Sequence, residues 1–339
     1  MNAAESIVDD MIDGYVSAFE QVARGHQDPR IVVRAKGRKD PDRKVTLLIG
    51  NGSGHEPIAM GFVGAGLLDA NVVGDVFAAP SADLILDGIR EVSGKAGCIL
   101  LISQHSGDMI NGRAAVMLAE EERLRVRALP MYDDISSAPR DRIQDRRGAP
   151  GTMFIYKILG AAAEAGMPLD DLMTLGRAVR ARTVTLAAAL SPGISPLTGQ
   201  PMFDLPDDEI YLGMGVHGEP GIGRTGVGPV RDLVTLIVDK LLGDYPIASG
   251  GQAAVIVNGM GGTTLMELLT VWNETRHALA ARGIAAVAPM IGSFVTTQEM
   301  GGFSISLLEP AGDMLRLWTA PSDTPFFPSI RHAEKEKSQ

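Results

Sequence analysis

VTLLIGNGSGHEP, residues 45–57, is the stretch from which the fold can be read. Val45 to Ile49 are apolar or β-branched without a polar interruption, the pattern of a strand buried on both faces. The following GNGSGHEP (50–57) is too rich in glycine for a helix, since each glycine gives up more backbone entropy on ordering than alanine does. A buried strand that empties into a polar, glycine-rich loop is the unit from which open α/β sheets place their ligand sites.

Working outward, the same unit recurs. NVVGDVF (71–77), GCILLIS (97–103) and VRALPMY (126–132) read as strands, with helices near 81–93 and over 108–125 between them. A helical pattern is expected after the first loop to about Gly66. Upstream, Ile7, Met11, Tyr15, Phe19 and Val22 recur at helical spacing and predict an amphipathic helix over 5–24, followed by a charged loop over 34–44. Strands alternating with helices imply a largely parallel sheet with helices on its faces. GNGSGHEP, QHSGDMIN and the pair Asp133-Asp134 each follow a strand, so all three are expected at one sheet edge.

Residues 150–190 read as helical, including the alanine-rich AAAEAG and TLAAAL. SPGISPLTGQPMFDLPDD (191–208) then interrupts with four prolines and two glycines and marks a domain boundary. Beyond it come a strand in EIYLGMG, a glycine-rich loop, and a helix from about 229 to 242. AAVIVNG, GIAAVAPM and FSISLLE read as strands, with a helix over 263–282. The expectation is therefore two α/β domains, 1–190 and 191–339, each a largely parallel or mixed sheet flanked by helices. HAEKEKSQ (332–339) is a polar tail expected to fray.

The chain has 339 residues and a net charge of −10, which argues against nucleic acid or an anionic membrane as partner. The N-terminus lacks a basic-then-apolar leader, and no apolar run reaches the ~18 residues of a membrane span, so a cytoplasmic location is expected. Cys98 is the single cysteine, flanked by apolar residues, and is read as core.

GMGVHGEPGIGRTG (213–226) places one imidazole, His217, among glycines whose bare backbone lets another molecule approach closely. GMGVHG and GIGRTG both fit the dinucleotide spacing, but Pro220 and further glycines delay the next helix, so that reading is rejected. GIREVSGKA (88–96) has one residue too many for a phosphate loop and ends in Ala96. The six histidines, His26, His55, His105, His217, His277 and His332, show no metal-ligand spacing, and no metal is expected. Singly, Asp108 is a helix N-cap, Asp133-Asp134 a turn, and His55 a turn histidine. Two histidines and an aspartate, each in a loop after a strand, are harder to dismiss together.

GNGSGHEP, GDVFAAPSAD (74–83), HSGDMIN (105–111), Asp133-Asp134, RRGAPGTMF (146–154), GMGVHGEPG (213–221), NGMGGTTLMEL (258–268) and TTQEMGGFSISLL (296–308) together resemble the substrate-binding subunit of the dihydroxyacetone kinase family. The resemblance spans nearly the whole chain in order. It implies that His217 forms a covalent hemiaminal with the carbonyl of a short ketose, that Asp108 is the catalytic base, and that His55 is the second histidine. It further implies that Gly52, Ser53 and Gly54 contact substrate, and that the protein is a homodimer.

Two positions depart from the family pattern. Ser103 stands where a substrate-contacting lysine is usual, and His105 where an aromatic is usual; a longer ketose such as a tetrulose is the expectation they raise. No helical nucleotide domain follows in this chain, so ATP or ADP with Mg²⁺ is expected on a separate helical subunit. Two other readings compete: a non-catalytic ketose-binding paralogue acting as a transcriptional co-regulator, and a metal-dependent hydrolase.

Overall fold

The computed structural model describes residues 2–327, so the polar tail 332–339 lies outside the described residues. In chain order the elements are α1 (Ile7–Ala18), β1 (Val22–Arg24), β2 (Ile31–Arg34), β3 (Thr46–Ser53), β4 (Ala70–Val76), α2 (Ala82–Val92), β5 (Cys98–Ile102), α3 (Ser106–Glu121) and β6 (Val126–Pro130). Next come α4 (Thr152–Glu164), α5 (Leu169–Ala181), β7 (Thr183–Ser191), β8 (Glu209–Leu212), β9 (Gly223–Gly226) and α6 (Val230–Asp244). β10 (Gln252–Gly259), α7 (Leu265–Ala280), β11 (Ala285–Gly292), β12 (Gly301–Leu308) and α8 (Met314–Trp318) complete it.

The strands form two six-stranded mixed sheets, ordered β1-β2-β4-β3-β5-β6 and β11-β10-β12-β7-β8-β9. In the first, β4, β3, β5 and β6 run parallel, and β2 and β1 close one edge antiparallel. β3 thus sits centrally, and the loop after it opens at the carboxyl edge shared with the loop after β5. The second sheet is mainly antiparallel, with only β10 and β11 parallel. The expected two-sheet α/β fold is the one observed.

Local signals mark the starts of two helices. Ser81 caps α2 by accepting a hydrogen bond from the Leu84 amide, and Thr264 with Glu267 forms a reciprocal capping box at α7. Along β10, Ala254 and Ile256 enter one core while Ala253, Val255 and Val257 enter another, the two-residue period of a strand covered on both faces. The first of these cores also holds Leu47 and Ile49 of β3 and most of α4, which is buried from Thr152 to Ala163. One core therefore joins the two sheets.

Four expectations need correction. The first helix stops at Ala18, because 22–24 pair with β2 as an edge strand, and β2 itself begins before the expected charged loop. Only a single 3₁₀ turn, Met60–Phe62, forms before Gly66; Gly64 and Gly66 adopt positive φ of 154° and 80°. TLAAAL is not helical but the core of β7, hydrogen-bonded between β12 and β8. Strand pairing on both sides and the β-branched Thr183, Val184 and Thr185 outweigh the helix preference of alanine. The passage between sheets therefore falls after α5, and 192–208 is a loop inside the second sheet, not the connection to it.

Candidate active site

A cavity of about 610 Å³ opens where the loops after β3 and β5 meet the β8–β9 loop, and its walls include Gly52, His55, Ser103, His105, Asp108 and His217. Three of the scattered histidines thus converge.

His217 is held from both ends of its loop. The Gly213 carbonyl accepts hydrogen bonds from Ser136 Oγ at 3.0 Å and from Arg147 Nη2 at 3.3 Å. Thr297 Oγ1 donates to the Val216 carbonyl at 2.9 Å. Gly221 packs so closely on Gly213 that a Cβ there would lie 2.1 Å from the Gly213 oxygen, which explains the glycine. Glu219 wraps back on the histidine: Oε1 accepts from Nδ1 at 2.8 Å and Oε2 from the backbone N–H at 2.9 Å.

His55 follows β3 through Gly54, at φ 97°, where a Cβ would meet the Phe77 ring at 2.5 Å. Its Nδ1 donates to the Thr296 carbonyl at 2.8 Å, and its Nε2 lies 2.9 Å from Nε2 of His217. The Phe77 ring covers both, with centroids 5.1 Å from His55 and 5.7 Å from His217.

These partners fix the protons. A carbonyl and a carboxylate only accept, so both Nδ1 atoms carry hydrogen. The Nε2–Nε2 contact must then be bridged by one proton, for otherwise two lone pairs would face each other. Burial, reinforced by His217, lowers the His55 pKa to about 3. Burial disfavours the Glu219 carboxylate as well, yet its bonds to His217 prevail and hold its pKa below the ordinary glutamate range.

Asp108 sits in the first turn of α3, where the helix dipole favours a negative charge. It is not the N-cap; His105 is. Asp108 Oδ2 lies 3.7 Å from His105 Nδ1, which itself donates to the Ser103 carbonyl at 2.7 Å. Burial works against a charged His105, but Asp108 and Glu219 outweigh it and raise its pKa.

The predicted GNGSGHEP contacts are only partly brought together. Gly52 lines the cavity, and a Cβ there would meet the Ala78 amide at 2.8 Å. Ser53 and Gly54 instead border a neighbouring hollow of about 400 Å³ beside α1. Asp133 is structural: it accepts from the Ala149 and Gly151 amides, and burial raises its pKa to about 6. Asp134 pairs with Arg147 at 2.8 Å. Cys98 is buried, and burial pushes its thiol up to about 12.

Sequence reasoning passed over Glu219, Arg147 and Phe77, although GMGVHGEPG, RRGAPGTMF and GDVFAAPSAD contain them. The acid two residues after His217 was the available signal. The histidines show no metal-ligand spacing along the chain, but folding brings ligand atoms of His105, His217 and Glu219 within 4.8 Å of one another. Neither glycine-rich loop suits a nucleotide: 213–222 lies inside the β8–β9 hairpin, and α6 begins only at Val230. Among the described residues no helix is long and apolar enough to cross a membrane.

A two-sheet α/β chain with histidines and carboxylates gathered between the sheets is the class these observations define. The Dak1 domain model matches residues 13–326, and the chain belongs to that family. It is 38% identical over 328 residues to the dihydroxyacetone-binding subunit DhaK of PTS-dependent dihydroxyacetone kinase 1 from Listeria innocua, covering 96% of this chain and 98% of that one. It is 35% identical to a D-erythrulose kinase of Mycolicibacterium smegmatis, over 96% of this chain and 56% of that one. The solved dihydroxyacetone kinase operon co-activator Dha-DhaQ superposes with a TM-score of 0.87 at 29% identity, over 93% of this chain and 97% of that one. Phosphoryl transfer to an alcohol group, the activity class expected from the sequence, is the one these kinases carry.

Proposed function

We propose that the chain is the substrate-binding catalytic subunit of a ketose kinase, capturing a short ketose as a hemiaminal on His217 so that its terminal hydroxyl can be phosphorylated. The observation that carries this is the His55–His217 Nε2 contact of 2.9 Å backed by Glu219, on a cavity that Asp108 also lines. The step balances. The bridging proton passes to His55 as His217 Nε2 adds to the carbonyl carbon, the π pair moves to oxygen, and His55 returns the proton to that oxygen. One positive charge is present before and after, and Glu219 faces it. An alcohol offers no such carbon, so glycerol is excluded by chemistry rather than shape. Anchored in this way, the ketose presents a hydroxyl whose proton Asp108 accepts as phosphoryl transfer proceeds.

The nucleotide, ATP or ADP with Mg²⁺, belongs on a separate helical subunit, and the chain is a homodimer. Ser103 and His105 favour a ketose longer than dihydroxyacetone, a reading supported by the relative named D-erythrulose kinase. The decisive experiment is carbon NMR of ketose labelled at its carbonyl. With this protein the labelled carbon turns tetrahedral, and with His217→Asn it stays a ketone; an unchanged ketone signal in the unmodified protein refutes the reading. Phosphorylation assayed with the nucleotide subunit then separates catalysis from the second reading, a ketose-binding co-regulator, which the likeness to the operon co-activator keeps in play.

A further inference from the structure

The three imidazoles of the cavity offer six ring nitrogens. Both nitrogens of His55 and both of His217 are engaged, and Nδ1 of His105 is fixed on the Ser103 carbonyl. Of these six ring nitrogens, His105 Nε2 is the one with no hydrogen-bond partner among the described residues. The Glu219 Oε1 carboxylate oxygen lies 4.0 Å from it. That separation is too long for a direct bond and right for a bridge, because one oxygen can lie about 2.8 Å from both atoms. Such an oxygen would accept from Nε2–H and donate to the carboxylate, which is what a hydroxyl does and a ketone oxygen does not.

We propose that the gap between His105 and Glu219 is a hydroxyl subsite, one that takes the extra hydroxyl of a ketose longer than three carbons and makes His105 a specificity-determining residue. The inference rests on the ketose reading above. Asp108 and Glu219 face the His105 ring and favour its charged form, in which Nε2 carries a hydrogen, against the pull of burial. The room is adequate, since about 610 Å³ lies within the range of roughly 300–1,000 Å³ typical of pockets for drug-sized ligands. A metal ion held by His105, His217 and Glu219 is the weaker use of the same atoms, because Glu219 Oε1 is already bonded to His217 Nδ1.

The test is calorimetric titration of erythrulose and of dihydroxyacetone into the full chain, as the unmodified protein, His105→Phe and His105→Gln. A hydrogen bond to a charged donor is lost in the first variant and weakened in the second. The ratio of erythrulose to dihydroxyacetone affinity is therefore expected to fall about 10-fold or more in His105→Phe and by less in His105→Gln. A ratio unchanged within about two-fold in both variants overturns the subsite and leaves ketose capture standing. If neither ketose binds the unmodified protein, the functional reading fails and the subsite with it. Should His105→Phe not fold, the ratio in His105→Gln decides.

Discussion

Replacing Glu219 with glutamine tests how His217 is made ready. Glu219 accepts two hydrogen bonds from this one residue, at 2.8 Å from Nδ1 and 2.9 Å from the backbone N–H. Glutamine can keep its oxygen on Nδ1–H, but its amide nitrogen then meets the backbone N–H donor to donor. One bond is lost and the other loses its charge. Bonds to charged groups contribute about 1.5–3 kcal/mol each. In the free protein the positive charge is shared with His55 through the bridging proton, whereas in the adduct it sits wholly on the His217 ring that Glu219 faces. The loss therefore falls on the bound state. At about 2–3 kcal/mol it corresponds to a roughly 30- to 150-fold weaker Kd for the ketose, at about 1.4 kcal/mol per factor of ten. Calorimetric titration near neutral pH measures it, with thermal unfolding as the control for folding. Affinity within about two-fold of the unmodified protein, in a folded variant, would refute the claim that Glu219 supports the adduct.

Asp108→Asn is expected to retain ketose binding while phosphoryl transfer, assayed with the nucleotide subunit, falls about 100- to 10,000-fold. His55 predicts a pH dependence of stability. Its folded pKa of about 3 lies below the ordinary 6.5, so below about pH 6.5 the unfolded chain binds a proton that the folded chain refuses. Stability should fall as pH drops toward 3, by up to about 1.4 kcal/mol per pH unit from this group, and urea unfolding of His55→Gln at pH 7 and 5 should show a shallower dependence. Gly221→Ala would drive a methyl to 2.1 Å from the Gly213 carbonyl, so ketose capture should be lost and stability lowered by about 1–3 kcal/mol, read by titration and thermal unfolding.

How far the sequence reached is clearest at particular elements. The run Val45–Ile49 was legible as a buried strand because full burial on both faces needs an unbroken apolar row, and the sequence pattern records that directly. His55, Asp108 and His217 each read singly as turn, cap or loop residues; it was their recurrence in loops after strands that grouped them, and the fold brings all three to one cavity. β7 was not legible. Alanine prefers helix by local energetics, and only β12 and β8, from distant parts of the chain, supply the hydrogen bonds that make 183–191 a strand. Ser53 was expected in the cavity, but strand alternation turns it from Gly52 toward the neighbouring hollow.

By itself, then, the sequence determined the alternating elements of the first sheet and the glycine-rich loops that border the cavity, because burial and glycine content are properties of short stretches. Tertiary structure alone decided that His55 meets His217 across 162 residues and that His105 turns an unpartnered nitrogen toward Glu219. Those are distances between loops borne on separate sheets. They are set by the shared core beneath α4, to which residues far apart in the chain contribute and which no local pattern encodes.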